Sequence, residues 1–500
     1  MPEKRNMGYQ AMTERERIAH ILRRFGLGAS RAELDFYEKL GVEGALDRLI
    51  NYEKHDEGFD VSVWEFANRN NDRINLAPPH VVQWWTLRML VTERPLQEKL
   101  TLFWHDHFAI SGSKVGAGPM IHLYLETLRK NANGNFHTML KDISRDPAMI
   151  LWLDSNTNVR GKPNENFARE VMELFTLGVD GGYTEKDIQE AARAFTGWAF
   201  RRAGPPRRRR RQPTLEEQLE AIKKGEPFVE FFFRAALHDN GTKTVLGNTG
   251  RFGGDDILGI LVAREETARY VTTKLWEWFA YPEPEKKVQD KLVRTYLDNG
   301  FEIKPILRTI AESDEFWSEK CVRKQVKNPV DFTVALCRQF GLGPQILQFR
   351  RADAGPTTQL PREVRGLPGA VAQMLNKQGM SLLYPPDVAG WDWGTAWISS
   401  ATMVERIQLS QTLFNQRRGG VAPIVSQAIQ SEFSPGGSEE VVDAVLDLVD
   451  AKLTGDRKSV LVKACEGAGG VQALSNPRSA GRLLGQITKV LFAAPEFHFC

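Results

Sequence analysis

PLQEKLTLFWHDHF, residues 95–108, places Leu96, Leu100 and Phe103 at helical spacing and predicts an amphipathic helix at least as far as Phe103. The next four residues read in two ways. If the helix continues through His107, the imidazoles of His105 and His107 point about 200° apart, cannot hold one ion, and His107 joins the buried stripe. If the chain leaves the helix at Trp104 and extends, the two imidazoles share one side, Asp106 turns away, and His105 and His107 become a bidentate metal pair. Against both stands the plain reading of a hydrogen-bonded core histidine in an aromatic-rich helix.

The same 3.6-residue period recurs through most of residues 13–200, in RIAHILRRFG, LGVEGALDRLI, VVQWWTLRMLV, IHLYLETLRKNA and DIQEAARAFTGWAF. It returns from residue 257 onward. The fold class predicted is therefore mainly α, a large multi-helix globular protein. One interruption is RRAGPPRRRRRQPTLEEQLEAIKKGEP, where a basic run and prolines predict an exposed, disordered insertion over 201–227 with a short charged helix candidate inside it. Beyond it, FVEFFFRAALHDNGTKTVLG changes period around Asn240-Gly241 and predicts a single β-hairpin near 229–246. The organisation expected is a tail over 1–13, a helical lobe over 14–200, the insertion over 201–227, and a hairpin plus helical lobe over 228–500 packed on the first as one domain.

Composition narrows the function classes only a little. Apolar residues at 42%, charged residues at 26% and a net charge of +3 are ordinary globular values, with no strong pull toward nucleic acid or a membrane. Four cysteines without a CxxC pair read as free thiols. No apolar run is long enough for a signal peptide or a membrane span, so the chain reads as cytoplasmic as it stands. The glycine-rich GNTGRFGGDDILGILV lacks the Walker order, and Asp255 and Asp256 at its helix entrance would repel phosphate, which argues against a nucleotide cofactor.

PNENFAREVMELFTLG, residues 163–178, holds the densest polar pattern. Pro163 suits a first helical position and Gly178 a left-handed helix end. Phe167, Val171, Leu174 and Phe175 share one face, and Glu165, Asn166, Arg169, Glu170 and Glu173 the other. The charged face reads either as an exposed ion-pair ladder or as the acidic wall of a cleft. In the second case Glu165, Arg169, Glu170 and Glu173 are candidate catalytic residues. His238, Asp239 and Lys243, at the expected hairpin tip, and Trp391 of PPDVAGWDWGTAW are candidate substrate-binding residues. Their plain alternatives are turn residues bonded to their own backbone and tryptophans capping a core; Trp391, Trp393 and Trp397 could otherwise stack on a sugar or a peptide.

Taken together, HILRRFGLGAS at 20, FWHDHFA at 103, DPAMILWLD at 146, GKPNENFAREVMELFTLG, YTEKDIQEAARAFTGW, HDNGTKTVLG and PPDVAGWDWGTAWIS resemble the bacterial family catalogued as domain of unknown function 1800. The resemblance runs in order from about residue 14 to the C-terminus. It implies a mostly helical protein, often exported, often made beside a partner family catalogued as domain of unknown function 1501, which looks like the alkaline phosphatase and sulfatase group. It carries no settled activity. The absence of a leader and the arginine-rich insertion depart from the pattern. Two functions follow as expectations. One is a metal-assisted enzyme, hydrolytic in class, with a divalent ion on His105, His107 and Glu165 or Glu170. The other is a non-enzymatic assembly or maturation partner of the phosphatase-like neighbour.

Overall fold

The structure is a computed structural model and describes residues 12–203, 214–414, 421–453 and 455–500. Local signals become local structure. Thr13 and Ser30 open the helices Glu14–Arg24 and Arg31–Ile50; each hydroxyl accepts from the amide three residues on, while Glu16 and Glu33 accept from the cap's own amide. These reciprocal bonds satisfy donors that a helix start leaves unpaired.

The helix Pro95–His107 runs through the middle of the core, with all thirteen of its residues buried. A helix buried on every side must find partners for most of the polar groups it carries, and here only Gln97 Oε1, His105 Nε2 and His107 Nδ1 are left without one among the described residues. Glu98 accepts from Arg88, Arg129 and Trp85. Lys99 donates to Asp331 Oδ1 at 3.0 Å and to the Arg23 carbonyl at 2.9 Å. Trp104 Nε1 donates to the Ala132 carbonyl at 2.7 Å. The helix Gly118–Asn131 packs along it, and Pro78–Val91 reaches it through Trp85 and Arg88.

Contacts cross residue 200 repeatedly. Arg24 donates to the carbonyls of Phe279 and Ala280, and Arg338 to the carbonyls of Met89 and Thr92. The helices Pro329–Gln339 and Arg362–Lys377 both pack on Pro78–Val91. Among the described residues no helix is long and apolar enough to cross a membrane.

The strands correct the hairpin expected near 229–246. Val229–Phe233 pairs backward across the insertion with Trp198–Arg202, placing Arg201 opposite Glu230 and Trp198 opposite Phe233. That register sets opposite charges face to face, with Arg201 Nε 2.8 Å from Glu230 Oε1, and brings Phe231 edge-on to Trp198. Lys243–Val245 pairs instead with Asn248–Gly250, through a turn in which Leu246 and Gly247 both take positive φ. Asn240 and Gly241 are not among the positive-φ residues, so the Asn-Gly signal marks a loop and not a two-residue turn.

The expectation of disorder over 201–227 is also corrected where the chain is described. Arg201 and Arg202 end a strand, and Thr214 with Glu217 caps the helix Leu215–Lys223. Phe228 packs on Trp64. Residues 204–213, with the arginine run, and residues 1–11 of the expected tail lie outside the described residues.

Candidate functional site

The helical reading of residues 95–108 holds as far as His107, which separates the two imidazoles. His105 Nδ1 lies 2.9 Å from Tyr124 Oη, and that hydroxyl donates to the Phe108 carbonyl, so Nδ1 carries the proton toward Tyr124. Its ring sits among Trp85, Tyr124 and Trp391, and burial pushes its pKa down to about 3. His107 Nε2 donates to the Phe175 carbonyl at 3.0 Å, its ring lies among Phe103, Trp104, Phe175 and Tyr270, and burial likewise holds its pKa well below the ordinary value. Among the described residues no aromatic ring packs against both imidazoles. Among the described residues no group of three or more His, Cys, Asp or Glu side chains is placed to hold an ion. The arrangement expected on His105, His107 and a glutamate is therefore not brought together, because a two-residue step on a helix sends the side chains apart.

The glutamate helix is Asn166–Glu173: Pro163 stands three residues before its start and not at its first position, and Gly178, although at φ +84°, lies four residues beyond the C-cap Leu174 and does not end it. Arg169 does not turn toward a cleft. It forms a bidentate pair with Glu185 at 2.8 and 2.7 Å, with Glu165 at 3.5 Å, and so ties this helix to Glu185–Ala194. Glu170 is half-buried; burial, then Glu173, raise its pKa against Arg169, with Asp387 adding to the rise. Its ionised form is thus disfavoured by folding, and Glu170→Gln removes that penalty. We expect urea unfolding at pH 7 to find the variant unchanged or more stable by up to about 0.5 kcal/mol. A loss of several kcal/mol would instead reveal a buried partner for the carboxylate.

The stretch at 238–243 is bound to itself and its surroundings. His238 Nδ1 meets Thr196, Asp239 pairs with Arg193 at 2.9 Å, and Lys243 donates to the carbonyls of Asp239 and Gly241. Arg193 holds the Asp239 carboxyl down to about 2. The plain reading of turn residues is the one these bonds follow.

The chemistry concentrates at the C-terminal turn of Pro95–His107. Asp106 Oδ1 accepts from the Trp391 backbone N–H and Oδ2 from Trp393 Nε1, both at 2.8 Å. HDH and AGWDW, separated by most of the chain, meet on this one carboxyl. The close approach requires glycine: Gly390 has φ +92°, and a Cβ there would lie 2.3 Å from Asp106 Oδ1. Burial pushes the Asp106 carboxyl up to about 6, against the pull of Lys274 and the two donors.

Asp106 borders a cavity of about 180 Å³ with Phe103, Lys274, Glu277, Trp278, Trp391 and Trp393. Lys274 and Glu277 lie on the helix Glu265–Phe279. Burial lowers the Lys274 pKa although Asp106 and Glu277 raise it. Its ammonium stands 5.6 Å from the Tyr270 ring centroid, and among the described residues no carboxylate lies within 4.0 Å of it. Asp331, also on the wall, is already engaged by Lys99 and by Asn328 Nδ2.

Of the residues singled out from sequence, Trp391 lines this cavity; Glu165, Arg169, Glu170, Glu173, His105, His107, His238, Asp239 and Lys243 do not. Asp106, Lys274, Glu277 and Trp278 were not among them. The available signal was TTKLWEWFAY, where Lys274 and Glu277 interrupt an otherwise apolar and aromatic run. The family model described as "Protein of unknown function (DUF1800)" matches residues 20–499. No curated protein and no solved structure matches the chain.

Proposed function

The chain belongs to the DUF1800 family of unknown function, and we propose that it is a hydrolase working by general acid–base chemistry in the cavity beside Asp106. The observation that carries this reading is a carboxyl with a pKa near 6, both oxygens oriented by fixed donors, at the wall of an aromatic-lined space. Near pH 6 such a group holds and releases protons readily. Asp106 gives its proton to the leaving oxygen as the scissile bond breaks. A water molecule bonds to the electrophilic atom and passes a proton to the second carboxylate, Glu277, after which the two groups re-equilibrate with solvent. Lys274 stabilises negative charge that develops between them.

The test is hydrolysis of aryl esters, aryl glycosides and aryl phosphates across pH. The acid must be protonated, so kcat/KM falls as pH rises through about 6. Asp106→Asn lowers kcat/KM by about 10²- to 10⁴-fold. Because an amide N–H would face Trp393 Nε1–H in the variant, the wild-type pH profile is the independent readout. Absence of turnover on every substrate, or a profile with no inflection near pH 6, overturns the reading.

A second reading, the assembly partner of the phosphatase-like neighbour, is supported by the exposed Phe232, Phe233 and Leu237 on and beside the strand that closes the insertion. Co-expression with that neighbour, and loss of co-purification when Phe232 and Phe233 become Ser, is the result this reading requires.

A further inference from the structure

Around the cavity nearly every charged or hydrogen-bonding side chain is already spoken for. Asp106 holds two N–H donors, Asp331 holds Lys99 and Asn328, and Glu277 Oε1 accepts from the Glu283 backbone N–H at 3.2 Å. Gln325 bonds the Glu277 and Trp278 carbonyls and Arg24. Two groups are exceptions: the Trp278 indole N–H, which is buried without a partner, and Lys274, a partly buried ammonium with neither an ion pair nor a hydrogen bond among the described residues and the only charged one of the two. A cation drawn out of water and left unpaired is unfavourable until a ligand anion meets it.

The rest of the wall is aromatic. Trp278 and Trp393 stand edge to face with centroids 4.4 Å apart, and Trp391 and Phe103 complete the surround. Indole faces pack well against the C–H face of a saturated ring. Two carboxyls in different environments, Asp106 and Glu277, share the wall with them, the pair of residue types that glycosidic cleavage uses.

We propose that the ligand of this cavity is an acidic sugar, a pyranose whose carboxylate docks on Lys274 while its ring lies against Trp278, Trp391 and Trp393. This assignment rests on the cavity named above as the hydrolytic site. The carboxylate supplies the missing partner of Lys274, and the ring hydroxyls face Asp106 and Glu277. A neutral sugar leaves Lys274 unpaired, and a simple carboxylate leaves the indoles uncovered.

The experiment is calorimetric or saturation-transfer titration of the full chain with methyl glucuronide, methyl glucoside and acetate. Methyl glucuronide is expected to bind at least about tenfold more tightly than either comparator, the advantage of one charge-assisted contact. Lys274→Met, which keeps side-chain length, is expected to abolish the difference between the two sugars. Should that variant not fold, the wild-type ratios alone decide. Equal binding of the two sugars, acetate binding as tightly as the glucuronide, or binding of neither sugar overturns the assignment. Turnover is not the readout. A chain that binds glucuronide yet hydrolyses nothing keeps the ligand class and loses the hydrolase reading, and one that cleaves an aryl ester while binding no sugar does the reverse.

Discussion

Glu98→Ala is expected to lower the unfolding free energy by about 3–5 kcal/mol. Glu98 has no exposed surface, and its carboxylate accepts from Arg88 Nε at 3.1 Å, Arg129 Nε at 2.7 Å, Arg129 Nη2 at 3.0 Å and Trp85 Nε1 at 2.8 Å. Burial raises its pKa, but Arg129 and Arg88 outweigh that and hold it below the ordinary value. Truncation leaves two guanidinium groups in the core without their shared partner, although Glu57 and Glu126 still reach them from the edge. Those remaining partners place the loss within that range and not beyond it. A folded-state pKa held low means that this stabilisation is fully present above the unfolded carboxyl range and disappears as pH falls through the folded value. Urea unfolding of wild type and variant at pH 7 measures the loss. A difference under about 1 kcal/mol would show that the cluster is no more than a surface-like ion pair.

Gly390→Ala is expected to lower stability by roughly 2–6 kcal/mol, combining strain at positive φ with overpacking. The added Cβ meets Asp106 Oδ1 at 2.3 Å and the Asp106 carbonyl oxygen at 2.6 Å, and both atoms belong to the core helix Pro95–His107. The loop must therefore move away, taking the Trp391 amide and Trp393 indole off the carboxyl. Asp106 would then titrate without its donors, so the inflection near pH 6 in any cavity-linked activity moves upward. Gly161→Ala is the control. Its φ is +81° but nothing lies within 4 Å of its Cβ position, so it loses only the conformational part, about 1–2 kcal/mol. Equal losses at the two sites would show that backbone strain alone, and not the approach to Asp106, dictates glycine at 390.

Sequence by itself determined the helices. Their period and their caps at Thr13, Ser30, Thr184 and Thr214 depend on side chains within a few residues of one another, where spacing along the chain is spacing in space. Even the separation of His105 from His107 followed once the backbone was helical. Tertiary structure alone decided the partners. Arg169 could pair within its own helix or outside it, and packing against Glu185–Ala194 placed Glu185 within reach. The strand Val229–Phe233 had an Asn-Gly turn signal ahead and a charge-complementary strand behind, and it took the one behind. Asp106 lay inside the marked HDH stretch, but the histidines on either side, and not its carboxyl, drew the functional reading. Its character comes from Trp391, Trp393 and Lys274, remote in sequence, and from the loss of water around it. Burial and long-range contact set a pKa, and neither is written in the neighbours of a residue along the chain.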